Sequence, residues 1–198
     1  MAEPPPIPPT PAGFGWRSLA CLADIIPLFI CGHAVAGMVA DADALAAYAA
    51  QQKWTDGLFE LYFRSLSAPS SDSSRRILEY ALNPPKEVVE AVIAWSWHLG
   101  TTTFLIMLSA LTSQETLMGT TLGKRIFRLR TAEIPGGGRP PFLSCLMRSA
   151  WKSAFFALPN PFFGLLGIVN FHVPLFRKDR RAWHDLWTRT QVVEETRP

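Results

Sequence analysis

Leu-Ala-Cys-Leu-Ala-Asp-Ile-Ile-Pro-Leu-Phe-Ile-Cys-Gly-His-Ala-Val-Ala-Gly-Met-Val-Ala, residues 19–40, decides the class of fold. These 22 residues carry one formal charge, Asp24. A helix of about 20 apolar residues crosses a bilayer. An ionised carboxylate at such depth costs about 3 kcal/mol, so Asp24 has to be partnered, wetted or protonated. Two further runs, residues 91–111 and 154–176, hold no formal charge at all. Three such runs in 198 residues, with 48 % apolar and only 18 % charged side chains, read as an all-α integral membrane protein.

The net charge of +3 hides a sharper asymmetry. Residues 41–90 hold eight acids and five bases, whereas residues 112–153 hold seven bases and two acids. The tail from Arg177 holds six bases and four acids. Basic loops stay on the cytoplasmic side of a membrane. The expectation is a multi-pass protein of a bacterial cytoplasmic (inner) membrane, with its N-terminus inside. The acidic segment 41–87 is then outside and residues 112–153 inside. No basic stripe interleaved with aromatics occurs outside the membrane flanks, so nucleic acid is not an expected partner. The lipid bilayer is. So few spans enclose little pathway, which points to a homo-oligomer or a larger membrane complex.

Residues 1–13 contain six prolines and no Lys or Arg. A secretory signal needs a basic start, so this stretch reads as a disordered, partly polyproline II leader. Residues 14–193 form the membrane domain, with 41–87 as an extracytoplasmic helical insert and 194–198 as a tail. Inside the insert, residues 41–65 have helical composition, 68–74 form a Ser-rich break, and 75–82 make a short second helix stopped by Asn83-Pro84-Pro85. Pro27 predicts a kink one turn beyond Asp24. Gly32, Ala36 and Ala40 form a ridge of small residues for a close neighbour.

Further on, residues 126–131 alternate apolar and basic as a strand does, and residues 191–193 are its candidate partner. Residues 142–152 read as an amphipathic interfacial helix with Arg148 and Lys152 on its polar side. The third apolar run contains Pro159-Asn160-Pro161 and has bases at both flanks. A single span would strand Arg177, Lys178, Arg180 and Arg181 outside, so a re-entrant hairpin is favoured. Broken helices are tolerated at membrane depth only when buried in protein or lining water. The fold class is thus two transmembrane helices, a third broken or re-entrant hydrophobic segment, and a small cytoplasmic β-element.

Several chemistries find no support. Cys21, Cys31 and Cys145 form no CxxC pair, so neither a disulfide framework nor a metal site is expected, and no cofactor is called for. Gly119-Thr-Thr-Leu-Gly123-Lys124-Arg125 has the wrong spacing for a phosphate-binding loop, and Arg125 stands where Ser or Thr would hold Mg²⁺. Lys124 and Arg125, like Arg148 and Lys152, are read instead as lipid head-group or interface contacts. No Ser or Cys nucleophile sits in a recognisable motif beside His184-Asp185, so no enzyme is expected.

Arg17, Asp24 and Asp185 carry a resemblance, and the motifs around them agree. Gly119-Thr-Thr-Leu-Gly-Lys-Arg, continued by Leu129-Arg130-Thr131, is similar to a T-x-G-K…G-L-R-V stretch. Arg180-Arg181-Ala-Trp-His184-Asp185-Leu-Trp-Thr-Arg-Thr190-Gln-Val-Val193 is similar to an R-R-x-x-H-D-x-x-x-x-T-x-V-V ending. Together they resemble the RDD family of membrane proteins, named for one arginine and two aspartates, apart from a long 41–87 insert. Arg128 replaces the usual glycine before Leu-Arg, and Trp187-Thr188-Arg189 replaces a small, flexible Leu-Ala-Gly. The family's activity is poorly defined. The resemblance implies a transport or ion-exchange role and no catalytic mechanism.

The candidate ligand- or ion-binding set is Asp24, Arg17, Asp185 and His184. Asp24 follows Arg17 by seven residues, so the two share a face about 10 Å apart along the axis, too far for a direct pair. Asp24 either binds a cation or carries a proton, or it pairs with a base such as Lys124, Arg148, Lys152 or one of Arg177–Arg181. Arg17 is equally able to pair with Asp185 or to serve as an interfacial anchor. His184-Asp185 reads as a proton relay or as a local hydrogen bond. A path through His33, His98 and Glu90 is not evident, since His33 lies on the opposite helical face from Asp24. The functional expectation is a transport or ion-exchange component centred on Asp24. The alternative is a non-transporting accessory or assembly subunit.

Overall fold

In a computed structural model, which describes residues 10–68 and 72–195, two long apolar helices dominate. Helix α1 is Phe14–Met38 and helix α4 is Lys86–Met118. Between them lie α2 (Ala42–Ser67) and α3 (Ser73–Leu82). After α4 come α5 (Leu122–Ile126), strand β1 (Leu129–Glu133), α6 (Phe142–Ala157), α7 (Pro161–Phe176), α8 (Trp183–Trp187) and strand β2 (Thr190–Glu194). Both α1 and α4 are long and apolar enough to cross a membrane, and only 28 % and 22 % of their most apolar windows are buried. A core helix of a soluble protein would be mostly covered. Residues 36–99 form one compact unit and the rest of the chain another.

In the unit 36–99, Asp41 caps α2 by accepting from the Ala44 N–H at 2.8 Å. Gly57 allows α3 to lie close, for a Cβ there would sit 2.5 Å from the Tyr80 hydroxyl. The Trp54 and Tyr80 rings stack beside it. The short helix expected from residues 75–82 is present, beginning two residues earlier.

In the other unit, α1 meets α4 where Gly32 faces Thr103, with no room for a Cβ: it would lie 2.8 Å from the Thr103 side chain. Ile25, Met107 and Leu111 pack there as a small apolar core. Helix α1 continues through Pro27. Gly119, at φ +71, ends α4 by returning its N–H to Glu115.

Strands β1 and β2 pair antiparallel, with Thr131 opposite Val192. Pairing of residues 191–193 with the segment after α5 follows the sequence reading, but the strand starts at Leu129 rather than at residue 126. Residues 122–126 are helical because Thr121 caps them, accepting from the Lys124 N–H.

Only the end of the expected disordered leader departs from the sequence reading. Residues 1–9 lie outside the described residues. Thr10–Gly13 are ordered against β2, where Ala12 N–H donates to Val192 O at 3.0 Å and Glu194 N–H to Thr10 O at 3.1 Å. Ala12 is fully buried with Ala20, Leu129 and Val192, so hydrophobic burial and strand-edge hydrogen bonds both hold it. The tail is likewise drawn in, since Glu194 belongs to β2 and Glu195 N–H donates to Arg128 O.

The break expected at Pro159-Asn160-Pro161 is present. Helix α6 runs from the amphipathic stretch straight into the third apolar run and stops at Leu158. Asn160 caps α7, accepting from the Phe162 N–H at 2.9 Å, with Pro161 in the first turn, where an N–H has no helical partner to lose. The tip of this hairpin abuts Gly100, midway along α4: a Cβ there would lie 2.6 Å from both Ala157 O and Pro159 Cδ. Its two ends return to the sheet and α8. Ser144 donates to Thr188 O at 3.3 Å, and the Trp183 N–H donates to Asn170 Oδ1 at 3.0 Å.

Candidate functional site

Asp24 is 7 % exposed and its carboxylate is occupied. One oxygen accepts the Thr121 hydroxyl, and the other accepts the Gly123 N–H at 2.6 Å. No base reaches it among the described residues. The T-x-G-K motif acquires a physical meaning here. Thr121 and the Gly123 amide hold Asp24, and Gly123 lets α5 touch α1, because a Cβ would fall 2.1 Å from Ala20 O. Lys124 faces the other way.

The remaining charges form a chain of buried ion pairs across five elements. Arg17 on α1 pairs with Asp185 on α8 at 2.6 Å. Asp185 also binds Arg148 on α6, and Arg148 Nε reaches Glu115 Oε2 on α4 at 3.4 Å. Glu115 pairs in turn with Lys124 on α5, which also donates to Thr131 Oγ1 at 2.7 Å. Lys152 stands 3.7 Å from Glu115. Arg148 further donates to Thr190, and Arg181 Nη2 to the Asp185 carbonyl at 3.0 Å. Four cations thus meet two carboxylates, Asp185 and Glu115, while Asp24 borders the same region and pairs with no base. Burial alone would push the Asp185 carboxyl up, but the Arg148 guanidinium chiefly, with Arg17, holds it well below the ordinary carboxylate range.

Two sequence expectations are corrected. Lys124 and Arg148 do not lie on the protein surface as interface contacts: they are 5 % and 0 % exposed and bound to Glu115 and Asp185. A cation so far from water needs a fixed carboxylate, and the fold supplies one to each. Lys152 is half-buried and also turns inward. Arg125 is exposed and remains on the surface.

His184 is fixed by its neighbours. The Asn170 carbonyl oxygen accepts the Trp183 N–H, which leaves the Asn170 amide to donate to His184 Nδ1 at 3.0 Å. The ring proton then resides on Nε2, 3.3 Å from Asp185 Oδ1. Burial holds the imidazole down to about 3, against the pull of Asp185. The geometry is that of a local hydrogen-bond set around a neutral ring. His33 turns back to Phe29 O at 2.9 Å, and Glu90 makes an exposed pair with Lys86 at 3.4 Å.

Arg17, Asp24, Lys124, Arg148, Lys152 and His184 all border one cavity of about 480 Å³ between α1, α6 and α7. The rest of its wall is largely apolar, including Leu22, Ile25, Phe156 and Ile168. The structure therefore brings the expected residues to one place but splits their tasks. Asp24 holds the start of α5, and Arg17 with Asp185 holds α8.

The model of the RDD family matches residues 11–189. The chain belongs to the RDD family. No curated protein and no solved structure matches it. Arg17, Asp24 and Asp185, the residues that carry the resemblance, all lie inside that match, each buried or half-buried and each bound. The two departures from the RDD pattern fall on left-handed backbone, with φ 55 at Arg128 and φ 50 at Arg189. Glycine takes that conformation without strain.

Glu115 and Asn170 escaped the sequence reading. Glu115 is the only acid between Glu90 and Glu133, and a lone carboxylate amid seven nearby bases was the available signal. Asn170 is a polar residue in a charge-free run, and nothing in its spacing indicates His184.

Proposed function

We propose that this RDD-family chain is a multi-pass component of the bacterial inner membrane with a transport or exchange role, working at the cavity above the buried ion chain. The observation that carries this is the cavity itself: one largely apolar space bordered by four cations and the Asp24 carboxylate, beside a broken hairpin whose tip reaches only the middle of α4. α1 and α4 are the spans and α6–α7 the re-entrant segment, with the N-terminus and both hairpin ends on the cytoplasmic side. No catalytic step belongs to the reading. Two spans and a hairpin enclose little, so the working unit is a homo-oligomer or a larger membrane complex.

The test is flux in proteoliposomes. Wild type is expected to move an ion or small solute, and Lys152→Gln to change the rate while the protein stays monodisperse. Wild type without flux of any probe ends the transport reading. A second reading, a non-transporting accessory subunit, is favoured by one feature. Phe59, Tyr62, Phe63 and Leu66 on α2, with Leu78 and Leu82 on α3, are all exposed large apolar side chains. Stoichiometric co-purification of another membrane protein in mild detergent, together with absent flux, would select it.

A further inference from the structure

We infer that the cavity between α1, α6 and α7 binds an anionic amphiphile, with its acid group at Arg148 and Lys152 and its alkyl chain along Leu22, Ile25, Phe156 and Ile168. The inference rests on the cavity being the working site, but not on anything being moved through it.

Three observations converge. Arg148 is wholly buried and lines the cavity, yet its Nη2 has no hydrogen-bond partner. Native proteins seldom leave such a donor orphaned, and an acid oxygen satisfies it best. Lys152 also lines the cavity, and its nearest carboxylate, Glu115 at 3.7 Å, is already taken by Lys124 and Arg148. The floor therefore has one positive charge more than its carboxylates neutralise, and a bound cation would meet repulsion there.

The walls select the rest of the ligand. Leu22, Phe156 and Ile168 line the cavity and are 48 %, 41 % and 61 % exposed. The mouth thus opens sideways, on the apolar surface that α1 and α7 present to lipid. A hydrophilic anion would leave these walls wet, whereas an alkyl chain entering from a leaflet covers them. A space of about 480 Å³ lies within the usual range for small-molecule sites. A free fatty acid and an acidic phospholipid offer the same chemistry, a buried acid head followed by an alkyl tail.

Photo-crosslinking separates these sources and tests the site. The full-length protein in phosphatidylcholine nanodiscs is exposed to diazirine-tagged palmitate, to tagged phosphatidylglycerol and to a tagged alkylamine of matched length, and the labelled peptides are mapped. Labelling of α1 and α7 cavity residues by palmitate identifies a free acid, and labelling by phosphatidylglycerol alone identifies a membrane lipid. Either outcome supports the inference, provided the amine labels the cavity far less. Lys152→Gln is expected to lower cavity labelling about tenfold or more, the scale of one charge-assisted contact. Gly164→Leu is expected to abolish it: Gly164 lines the cavity, a Cβ there meets nothing within 4 Å, and leucine favours the helix. Equal labelling by acid and amine, or labelling indifferent to both substitutions in folded protein, overturns the inference. Intact acid-selective labelling without flux would remove the transport reading alone.

Discussion

At the scale of single residues, Asp185 is the pivot of the ion chain, because Arg17 and Arg148 both depend on it. Asp185→Asn leaves Arg148 buried with half its charge partners gone. A loss of about 3–5 kcal/mol is expected, read as a lower denaturant midpoint. Asp24 is different in kind: it accepts two hydrogen bonds and pairs with no cation. Asp24→Asn keeps one acceptor, so a loss of about 1–3 kcal/mol is expected. A stability unchanged by that substitution would show that the α5 contact is dispensable. His184 sets an acid limit. Its folded value near 3 lies below the ordinary 6.5, so as pH falls below 6.5 the unfolded chain takes up a proton that the folded chain refuses. Stability is therefore full above about 6.5 and drains away toward 3. Thermal unfolding followed across that window should show this slope, and His184→Gln should flatten it. Asp185, held well below its ordinary value, adds its own loss at the acid end.

At the scale of elements, close approach decides the packing. α5 sits against α1 only because Gly123 has no side chain, and α4 meets the hairpin tip only because Gly100 has none. Gly123→Ala and Gly100→Ala are each expected to force a backbone shift costing about 1–3 kcal/mol. Limited proteolysis should then open the α4–β1 connection in the first variant and the 158–160 break in the second. These elements were unevenly legible. The two long helices, the break at Pro159-Asn160-Pro161 and the pairing of residues 191–193 followed from composition, proline chemistry and alternation. The ordered strip at Thr10–Gly13 did not. Its prolines suit an extended chain whether free or docked, and only the buried Ala12 methyl distinguishes the two.

At the scale of the whole molecule, the proposed topology places both ends of the α6–α7 hairpin on one side of the membrane. Single cysteines at Arg139 and Lys178, in a background lacking Cys21, Cys31 and Cys145, are expected to label together from the cytoplasmic face and to resist an impermeant reagent applied outside. Labelling of the position-178 cysteine from outside would mean that the third segment spans.

The two long apolar helices and the break in the third apolar run were readable from the chain, because apolar run length and proline placement act locally and leave a pattern along it. The triad Arg17, Asp24 and Asp185 was also visible as charge in unusual places. What each carboxylate binds was not. Arg17 and Asp185 are 168 residues apart and Asp24 and Gly123 are 99 apart, and a buried aspartate has the same letter whether it meets a guanidinium, an amide or a cation. Only the tertiary structure brings α1, α4, α5, α6 and α8 close enough to choose. Once water is excluded, each charge must be matched by whatever the packing sets beside it, and that choice turned Lys124 and Arg148 from expected surface contacts into interior partners and left Lys152 at the edge of the cavity.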